Sequence, residues 1–254
     1  MAKNSWQGKK VLVTGGAGLV GSHLVERLLD LGAKVYVLDI EVKPGSYFLH
    51  KKLDNRSVLL IQDVRDLVAL KKLVESELIE HIFHLAAQAL VTEAISNPHL
   101  TLDTNVMGTV NVMEAARVFP SVKAVVLASS DKAYGKNSFD VSEDQHLGGD
   151  HPYDVSKSAA DLIAQAYHST FGLPVAVSRF GNIFGPGDMN ADRIVPGIME
   201  SIILGKTLGL RSDGSFLRDY VYVKDVVDAC LMLARNIAKA KGEARDQYGH
   251  DRIQ

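Results

Sequence analysis

Residues 11–31 contain the feature that most constrains the fold of this chain, a glycine-rich turn between an apolar strand and an apolar helix. The run Val11–Val13 predicts a buried strand, and the apolar periodicity over 19–31 predicts a helix. Between them stand four glycines: Gly15, Gly16, Gly18 and Gly21. Their spacing fits the dinucleotide-binding fingerprint, in which glycines allow a tight turn, let the backbone approach a pyrophosphate and bring helix and strand together. The alternative is an ordinary tight turn without a ligand.

The next predicted strand ends in an acidic residue where the fingerprint requires one. Residues 34–38 are largely apolar and are followed by Asp39, about 20 positions beyond the glycines. A carboxylate there accepts hydrogen bonds from both ribose hydroxyls of NAD and repels the 2′-phosphate of NADP. The sequence therefore favours NAD.

Strands and helices alternate along most of the chain. Strands are predicted near residues 10–14, 34–39, 58–62, 82–86, 123–130 and 175–181. Helices are predicted near residues 19–31, 66–76, 98–118, 153–171 and 224–235. Alternating βα units predict an α/β fold with a doubly wound parallel sheet, in which ligands bind at the carboxyl ends of the strands.

The pattern changes after residue 187, which predicts two units. We expect a dinucleotide-binding domain over 1–187, with helix 224–235 packed back on it. Residues 188–254 are expected to form a small substrate lobe that faces the cofactor. The last 20 residues are polar and mixed in charge, and nothing apolar closes the lobe. The lobe is therefore expected to be partial: either the natural chain stops here or the tail is foreign.

Composition excludes several classes of function. The net charge is −2 and no basic stripe occurs, so nucleic acid is not expected as a partner. The sequence contains no apolar run of 18 residues and no signal region, so a membrane partner is not expected. A single cysteine, Cys230, cannot form an internal disulfide, which fits a cytoplasmic protein. The nine histidines lack ligand spacing, so no metal is expected, and His84 is interpreted as a packed, hydrogen-bonded side chain.

A tyrosine and a lysine four residues apart carry the first candidate chemistry. On a helix, Tyr153 and Lys157 share one face. A nearby ammonium and the positive nicotinamide of NAD would favour the phenolate, which then acts as a general base toward an alcohol. Ser130, at the end of a predicted strand, is the natural third member, since its hydroxyl can hydrogen-bond the reacting oxygen. Without this context, the pair would be ordinary helix-surface residues and Ser130 a turn residue.

These segments, in order along residues 8–233, resemble the extended short-chain dehydrogenase/reductase family, whose fold is the Rossmann fold, and more narrowly its NAD-dependent sugar-nucleotide epimerases and dehydratases. The resemblance rests on TGGAGLVG (14–21), Asp39, HLAAQ (84–88), Ser130, YDVSK (153–157) and RFGNIFGPGD (179–188). It implies that Ser130, Tyr153 and Lys157 are catalytic.

The same resemblance implies two binding sets and a structural anchor. Residues expected to bind NAD are Gly15, Gly18, Leu19, Val20, Gly21, Asp39, Ile40, Asp63, Val64, Leu85, Ala86, Ala87, Tyr153 and Lys157. Residues expected to bind the sugar nucleotide are Gln88, Ser130, Asn182, Arg193 and Arg218. Asn105 is expected as a structural polar anchor. For Arg218 the alternative is a surface ion pair with Asp219 or Asp225.

The two residues after Ser130 favour one reaction within this group. In 4,6-dehydratases of the family, Asp-Glu or Asp-Lys follows the catalytic Ser/Thr, and Asp131-Lys132 most closely resembles the CDP-glucose type. The resemblance implies that Asp131 is the acid and Lys132 the base of water elimination, although the roles can be exchanged. The alternative is that both are solvated loop charges.

Two other functions stay open, and a homodimer is implied. Residues 214–223 look more like the general epimerase pattern, so a 4-epimerase is the alternative. A non-catalytic NAD-binding module is a second alternative, against which the intact catalytic set argues. The family resemblance implies a homodimer joined by helices near 98–118 and 153–171. Val106, Val110 and Met113 lie on one helical face that forms either this interface or a contact with the sheet.

Overall fold

A six-stranded parallel sheet forms the centre of the computed structural model, which describes residues 5–135, 140–210, 212–215 and 217–240. Its strands are β1 (Lys10–Thr14), β2 (Lys34–Asp39), β3 (Val58–Ile61), β4 (His81–His84), β5 (Ala124–Ala128) and β6 (Val175–Ser178). They lie in the order β3-β2-β1-β4-β5-β6. The chain order reverses beside β1, so a crevice opens between the carboxyl ends of β1 and β4. The predicted doubly wound α/β fold is confirmed.

Helices connect the strands on both faces of the sheet. The described helices are α1 (Leu19–Asp30), α2 (Tyr47–His50), α3 (Leu67–Glu77), α4 (Val91–Ser96), α5 (Pro98–Leu102), α6 (Gly108–Val118), α7 (Pro152–Phe171), α8 (Ile194–Leu204) and α9 (Val223–Ala240). A π-helical turn, Asp103–Met107, joins α5 to α6, and Asp131–Ala133 forms a 3-10 turn after β5.

Local capping explains where several helices begin. Asp66 accepts a hydrogen bond from the Ala69 N–H at 3.0 Å and caps α3. Asn97 accepts from the Leu100 N–H at 3.2 Å, and Pro98 follows as the first residue of α5. These starts agree with the sequence patterns, whereas α2, α4 and α8 were not predicted.

The core lies in two layers. On one face α1 and α9 pack against the sheet, and Val226, Cys230 and Leu231 of α9 join the same apolar cluster as Val11 and Leu28. The opposite face is covered by α3, α6 and α7. Met113 of α6 is fully buried in that second cluster, so it contacts the core and is not available for an interface between subunits.

Predicted strands overshoot at their carboxyl ends, because the chain there leaves the sheet. The segment 82–86 ends as a strand at His84, although the Leu85 N–H still donates to the Thr14 carbonyl at 3.0 Å. The segment 175–181 ends at Ser178 and leads into a separate two-stranded parallel sheet. That sheet pairs β7 (Asn182–Phe184) with β8 (Tyr220–Tyr222).

Beyond β7, the described residues form a loop, α8 and β8. Several apolar side chains of α8 are exposed, with Met199 at 53%, Ile202 at 69% and Ile203 at 75%. The predicted lobe also includes residues 241–254, which lie outside the described residues.

Candidate active site

The glycine turn after β1 is shaped so that only glycine fits at two positions. Gly15 has a φ of +69°, and a Cβ there would lie 2.6 Å from the Ala86 nitrogen. A Cβ on Gly21 would lie 2.1 Å from the Gly15 carbonyl oxygen. The turn is thus closed against the end of β4 and the start of α1.

The start of α1 leaves donors for an anion. Gly18 is the exposed N-cap residue, and no side chain caps this helix. The amides of the first turn, including Leu19 and Val20, have no partner within the helix and point along its N-terminus. This is the geometry that binds a pyrophosphate.

Asp39 lies at the end of β2, beside the same turn. Its carboxylate accepts from the Ala17 N–H at 3.0 Å and from the Ile40 N–H at 2.9 Å. Burial raises the pKa of Asp39, and these hydrogen bonds oppose that rise. Each oxygen retains a further acceptor position, as required for two ribose hydroxyls. Ile40 is 63% exposed.

The ends of β3 and β4 place the remaining predicted NAD residues along the same edge. Asp63 is held by Arg65, whose hydrogen bonds lower the pKa of this carboxyl, and Arg65 also contacts Asp103 at 2.9 Å. Val64 is buried, and Leu85, Ala86 and Ala87 are partly buried in the loop after β4.

The residues along this edge fit NAD. The tight glycine turn and the uncapped start of α1 match a pyrophosphate, and the Asp39 carboxylate matches a ribose. They would hold the cofactor with its nicotinamide end toward β5 and α7.

Ser130 and Tyr153 meet beyond the end of β5. Ser130 is buried, and its hydroxyl donates to the Asp131 Oδ1 at 2.9 Å. The Ser130 side chain also lies near enough to Tyr153 to lower the pKa of that phenol. The 3-10 turn explains this position, because the Lys132 N–H donates to the Ser130 Oγ at 3.2 Å and fixes the hydroxyl.

Lys157 lies one turn further along α7. Its ammonium is buried and donates to the Ala128 carbonyl oxygen at 3.0 Å. Burial lowers the pKa of Lys157 to about 8. Tyr153 and Lys157 thus belong to the same helix, at the carboxyl ends of the central strands.

The protonation state of Tyr153 differs from the sequence expectation. We expected an ammonium to lower its pKa, but burial raises the pKa of Tyr153 above its ordinary value. Asp131 adds to that rise, whereas the Ser130 hydroxyl and the charge of Arg193 oppose it. The phenol therefore keeps its proton in the protein alone, and the positive nicotinamide ring is needed to favour the phenolate.

Asp131 and Lys132 form an ion pair at the mouth of the site. The Lys132 Nζ lies 2.6 Å from the Asp131 Oδ2, and the two side chains are 38% and 34% exposed. Lys132 is therefore a partly exposed ammonium that is paired with a carboxylate. The pair remains close to Tyr153, since Asp131 contacts the Ser130 hydroxyl.

A network of buried polar side chains lies behind the catalytic residues of α7. Asn105, in the π-helical turn, accepts from the Gln88 N–H at 2.7 Å and donates to the Gln88 carbonyl and, at 2.8 Å, to the Ser156 Oγ. It therefore ties the loop after β4 to α7, one residue before Lys157. The Gln88 side chain also bonds within this network, to Leu90 and Thr101, although we expected it to bind substrate.

His84 continues the network toward β1. Thr109 Oγ1 donates to the Asn105 carbonyl at 2.7 Å, so it accepts from the His84 Nε2 at 3.2 Å. Nδ1 then accepts from the Thr14 hydroxyl at 2.7 Å. Burial lowers the pKa of His84 to about 3, so the imidazole is neutral. Its interpretation as a packed, hydrogen-bonded side chain agrees with these contacts.

The three remaining predicted substrate residues lie on separate segments beyond β6. Asn182 begins β7, where its N–H donates to the Asp219 carbonyl at 2.8 Å. Arg193 caps α8, contacts Asp188 at 3.3 Å and acts electrostatically on Tyr153. Arg218 is exposed just before β8 and donates to the Leu217 carbonyl.

The structure adds two residues that the sequence did not indicate. Asp154 is 2% exposed, and its Oδ2 lies 3.3 Å from the His151 Nε2. The Asp154 Oδ1 and the His151 Nδ1 are buried without a hydrogen-bond partner among the described residues. Burial raises the pKa of Asp154. No sequence signal marks Asp154, because a polar residue beside Tyr153 at a helix start is ordinary.

None of the helices described is long and apolar enough to cross a lipid bilayer. No cluster of three or more histidine, cysteine, aspartate or glutamate side chains in the described segments is arranged to hold a metal ion.

Comparison with known proteins places this geometry among enzymes of one family. Residues 11–246 match the NAD-dependent epimerase/dehydratase family. The CDP-glucose 4,6-dehydratase of Salmonella typhimurium is 35% identical over 248 residues, which cover 92% of this chain and 68% of that protein. The UDP-glucuronate 4-epimerase 5 of Arabidopsis thaliana is 32% identical over 95% of this chain, which spans only 58% of that protein.

Solved structures show the same family. The UDP-glucose 4-epimerase of Thermotoga maritima, solved with UDP-glucose, has a TM-score of 0.81 and is 31% identical, with 88% of this chain and 72% of that chain covered. The dTDP-glucose 4,6-dehydratase of Streptomyces venezuelae, solved with NAD, has a TM-score of 0.79 and is 28% identical, with 96% and 86% covered. The chain therefore belongs to the NAD-dependent epimerase/dehydratase family of enzymes, and NAD is its cofactor.

Proposed function

We propose that this protein catalyses the NAD-dependent 4,6-dehydration of a nucleotide sugar. The observation that carries the proposal is the Asp131–Lys132 pair, which lies in hydrogen-bond contact with Ser130 and next to Tyr153. A 4-epimerase needs no such acid and base, whereas elimination of water needs both. The identity to a CDP-glucose 4,6-dehydratase supports the same reaction and favours a CDP-sugar.

The chemistry assigns a task to each side chain. NAD, when bound, accepts a hydride from the sugar C4 and returns a hydride to C6. Tyr153 takes the proton of the C4 hydroxyl, and Ser130 hydrogen-bonds that oxygen. The resulting C4 ketone acidifies the C5 hydrogen, which one member of the Asp131–Lys132 pair removes as the base. The other member, as the acid, protonates the C6 hydroxyl, which leaves as water.

Other residues orient the two ligands. Lys157 donates to the Ala128 carbonyl, and its buried ammonium would help to hold and orient NAD. Asn182, Arg193 and Arg218 would contact the sugar nucleotide, since guanidinium groups bind diphosphate oxygens two at a time. We assign residues 1–187 to NAD binding and 188–254 to the substrate lobe.

A 4-epimerase is the second candidate. The UDP-glucuronate and UDP-glucose 4-epimerases among the relatives and structures support it. In that reaction the C4 hydride returns to the opposite face of C4, and Asp131 and Lys132 have no chemical task. A non-catalytic NAD-binding module is disfavoured, because Ser130, Tyr153 and Lys157 are all present and in place.

Product mass distinguishes these functions. The protein is incubated with NAD and with CDP-, GDP-, UDP- or dTDP-glucose, and the products are analysed by mass spectrometry. Loss of one water, with formation of a 4-keto-6-deoxy sugar, supports the dehydratase. A product of unchanged mass with inverted C4 supports the epimerase. Tyr153→Phe is the inactive control, and absence of any product from all four sugars would favour the binding module.

We also propose that two copies form a homodimer through α5, the π-helical turn and α7. Leu102 and Met107 are 38% and 48% exposed there, and with Val106 and Ala159 they line a shallow apolar groove. We expect Met107→Lys to shift the mass measured by light scattering toward the monomer. Val68→Lys, at a more exposed position on α3, should leave the mass unchanged. An unchanged mass in both variants would contradict this interface.

A further inference from the structure

His23 is a buried side chain of α1 to which the proposed reaction gives no task. It is 3% exposed and lies on the helix whose first turn would face the cofactor pyrophosphate. Its Nε2 lies 2.9 Å from the carbonyl oxygen of Pro186, which is 163 residues further along the chain. A carbonyl only accepts hydrogen bonds, so the His23 Nε2 carries the hydrogen and donates. The cofactor helix is thus bonded directly to the loop after β7.

Tyr47, at the start of α2, holds the His23 ring in place. The two rings are stacked, with centroids 3.9 Å apart and planes inclined by 26°. The Tyr47 hydroxyl donates to the Glu26 Oε2 at 2.8 Å, and Lys51 pairs with the same carboxylate at 3.4 Å. The direction of the His23 N–H is therefore set by α1 and α2 together.

The loop that accepts this bond, residues 185–188, is enclosed on two sides. Gly187 has a φ of +82°, and a Cβ there would lie 2.6 Å from the Tyr47 Cβ. A Cβ on Gly185 would lie 2.3 Å from the Cγ1 of Val223, the buried first residue of α9. The two glycines therefore let the loop approach α2 and α9 more closely than any side chain would allow.

The 185–188 loop also determines where Arg193 lies. The Asp188 side chain is only 6% exposed, and its Oδ2 lies 3.3 Å from the Arg193 Nη1. Its Oδ1 accepts from the Asn190 N–H at 3.3 Å, and the Asn190 carbonyl accepts from the Arg193 N–H at 2.9 Å. The Arg193 side chain itself is 43% exposed. Its guanidinium is thus held from the loop while it remains open to a ligand.

We propose that His23 and Tyr47 form a clamp on the 185–188 loop, and that this clamp positions Arg193 for the diphosphate of the nucleotide sugar. His23 is a positioning residue, which acts through the loop and takes no part in proton or hydride transfer. A loop that is ordered before the ligand arrives lowers the entropic cost of binding. This inference rests on the proposed assignment of Arg193 to the sugar nucleotide.

Binding of nucleoside diphosphates tests the clamp. CDP, GDP, UDP and dTDP are titrated in turn into the NAD-loaded protein by calorimetry, and the tightest binder of the wild type is used for the variants. His23→Phe keeps a ring that can stack on Tyr47 but loses the donor, so it should weaken binding roughly tenfold. His23→Gln has an amide N–H that reaches about as far as the imidazole Nε2, so it should recover most of the affinity.

Two further readouts separate positioning from a general loss of structure. The Kd for NAD should stay within about twofold of the wild-type value in both His23 variants, because the pyrophosphate end of α1 is unchanged. In steady-state kinetics, His23→Phe should raise the KM for the nucleotide sugar more than it lowers kcat.

A double-mutant cycle shows whether His23 acts through Arg193. Arg193→Gln alone should weaken binding of the diphosphate, because it removes the guanidinium. Addition of His23→Phe to Arg193→Gln should then cost little more, because the clamp has no guanidinium left to position. Additive losses of affinity would overturn the coupling.

Gly187→Ala disturbs the same loop without any change to His23. Its Cβ would collide with Tyr47, so it should weaken binding of the diphosphate and leave binding of NAD unchanged. Gly205→Ala is the matched control, since Gly205 has a φ of +61° but nothing lies within 4 Å of a Cβ there. It carries the same kind of backbone strain and should leave the diphosphate affinity unchanged. Thermal denaturation checks that both variants are folded.

The outcomes separate the clamp from the proposed reaction. Unchanged diphosphate affinity in His23→Phe or in Gly187→Ala would overturn the clamp, and so would an equal loss of affinity for NAD. A wild-type product of unchanged mass would overturn the dehydratase and leave the clamp intact, because both reactions bind a nucleoside diphosphate. Absence of binding of all four diphosphates by the wild type would overturn the clamp and the assignment of Arg193 together.

Discussion

Two glycines with nearly the same backbone conformation, Gly15 and Gly8, differ in how much space their neighbours leave for a side chain. Gly15 and Gly8 have φ values of +69° and +72°, so a side chain is strained at either position. A Cβ at Gly15 would also collide with the backbone of Ala86, whereas nothing lies within 4 Å of a Cβ at Gly8. The fingerprint glycine is therefore required by its neighbour as well as by its own conformation.

This difference predicts two separable effects of alanine. Gly8→Ala should cost about 1 kcal/mol of stability through conformation alone. Gly15→Ala should cost more, and it should also weaken NAD binding, because the turn must move away from β4. Thermal denaturation and calorimetric titration with NAD measure the two effects. Equal loss of NAD affinity in both variants would contradict the argument.

Asp154 is the residue whose burial has the clearest consequence for pH. Its folded pKa is raised by burial, so the fold favours the protonated form. Its favourable contribution is present at low pH and is lost as pH rises through the folded pKa. At neutral pH we therefore expect Asp154→Asn to stabilise the protein by about 1 kcal/mol, with a smaller gain in acid.

Denaturation at several pH values checks this expectation. Asp228→Asn, on the exposed surface of α9, is the control and should show no comparable pH-dependent gain. Destabilisation of Asp154→Asn at neutral pH would show that the carboxylate is paired in solution.

Among the elements, α7 and the π-helical turn determine how the catalytic groups are held. Pro152 begins α7, and Tyr153 and Lys157 follow within its first two turns. The helix is fixed laterally by the bond from Asn105 to Ser156. Asn105 also bonds to Gln88 in the loop after β4. One side chain therefore holds both the loop that is expected to line the cofactor and the helix that carries Tyr153 and Lys157.

The anchor predicts a specific effect of Asn105→Ala. Removal of this amide takes away the partner of the Gln88 N–H and carbonyl and leaves Ser156 with only its bond to the Tyr153 carbonyl, which should cost about 2 kcal/mol of stability. We also expect a lower kcat, because Lys157 follows Ser156 directly. Asn111→Ala also removes a buried amide in the neighbouring helix, where it bonds to the Val64 and Arg65 carbonyls. It should lower the Tm similarly but leave kcat less affected, as steady-state kinetics would show.

At the scale of the whole molecule, the two proposed ligand sites differ in the structure that supports them. The NAD edge is built from described strands and turns of the large sheet. The substrate side contributes β7, α8 and β8, and α8 exposes Ile202 and Ile203. The chain spans 68% of the CDP-glucose 4,6-dehydratase and 58% of the UDP-glucuronate 4-epimerase with which it aligns.

We predict that this chain binds NAD more tightly than a nucleotide sugar. The reason is that the NAD edge rests on the six-stranded sheet, whereas the described substrate side rests on a two-stranded sheet and a partly exposed helix. Calorimetric titration with NAD, and then with CDP-glucose in the presence of NAD, measures both affinities. Tighter binding of CDP-glucose than of NAD would contradict the prediction.

The sequence by itself determined the sheet, the cofactor and the family. Local patterns suffice for these, since strand, glycine turn, helix and Asp39 are neighbours along the chain, and ordered motifs identify the family. The sequence did not predict α2, α4 or α8, because short or uniformly apolar segments lack a clear period.

Tertiary structure alone decided how the site is connected and charged. Ser130 follows β5 and Tyr153 lies at the start of α7, so these two residues come together only in the folded protein. Burial in that position raises the pKa of Tyr153, a shift that the spacing of Tyr153 and Lys157 did not indicate. Likewise, Lys132 is paired and partly exposed, Gln88 bonds internally and Met113 faces the core. Burial, pairing and electrostatic shifts depend on groups far apart in the chain, so they exist only once the sheet has brought those groups together.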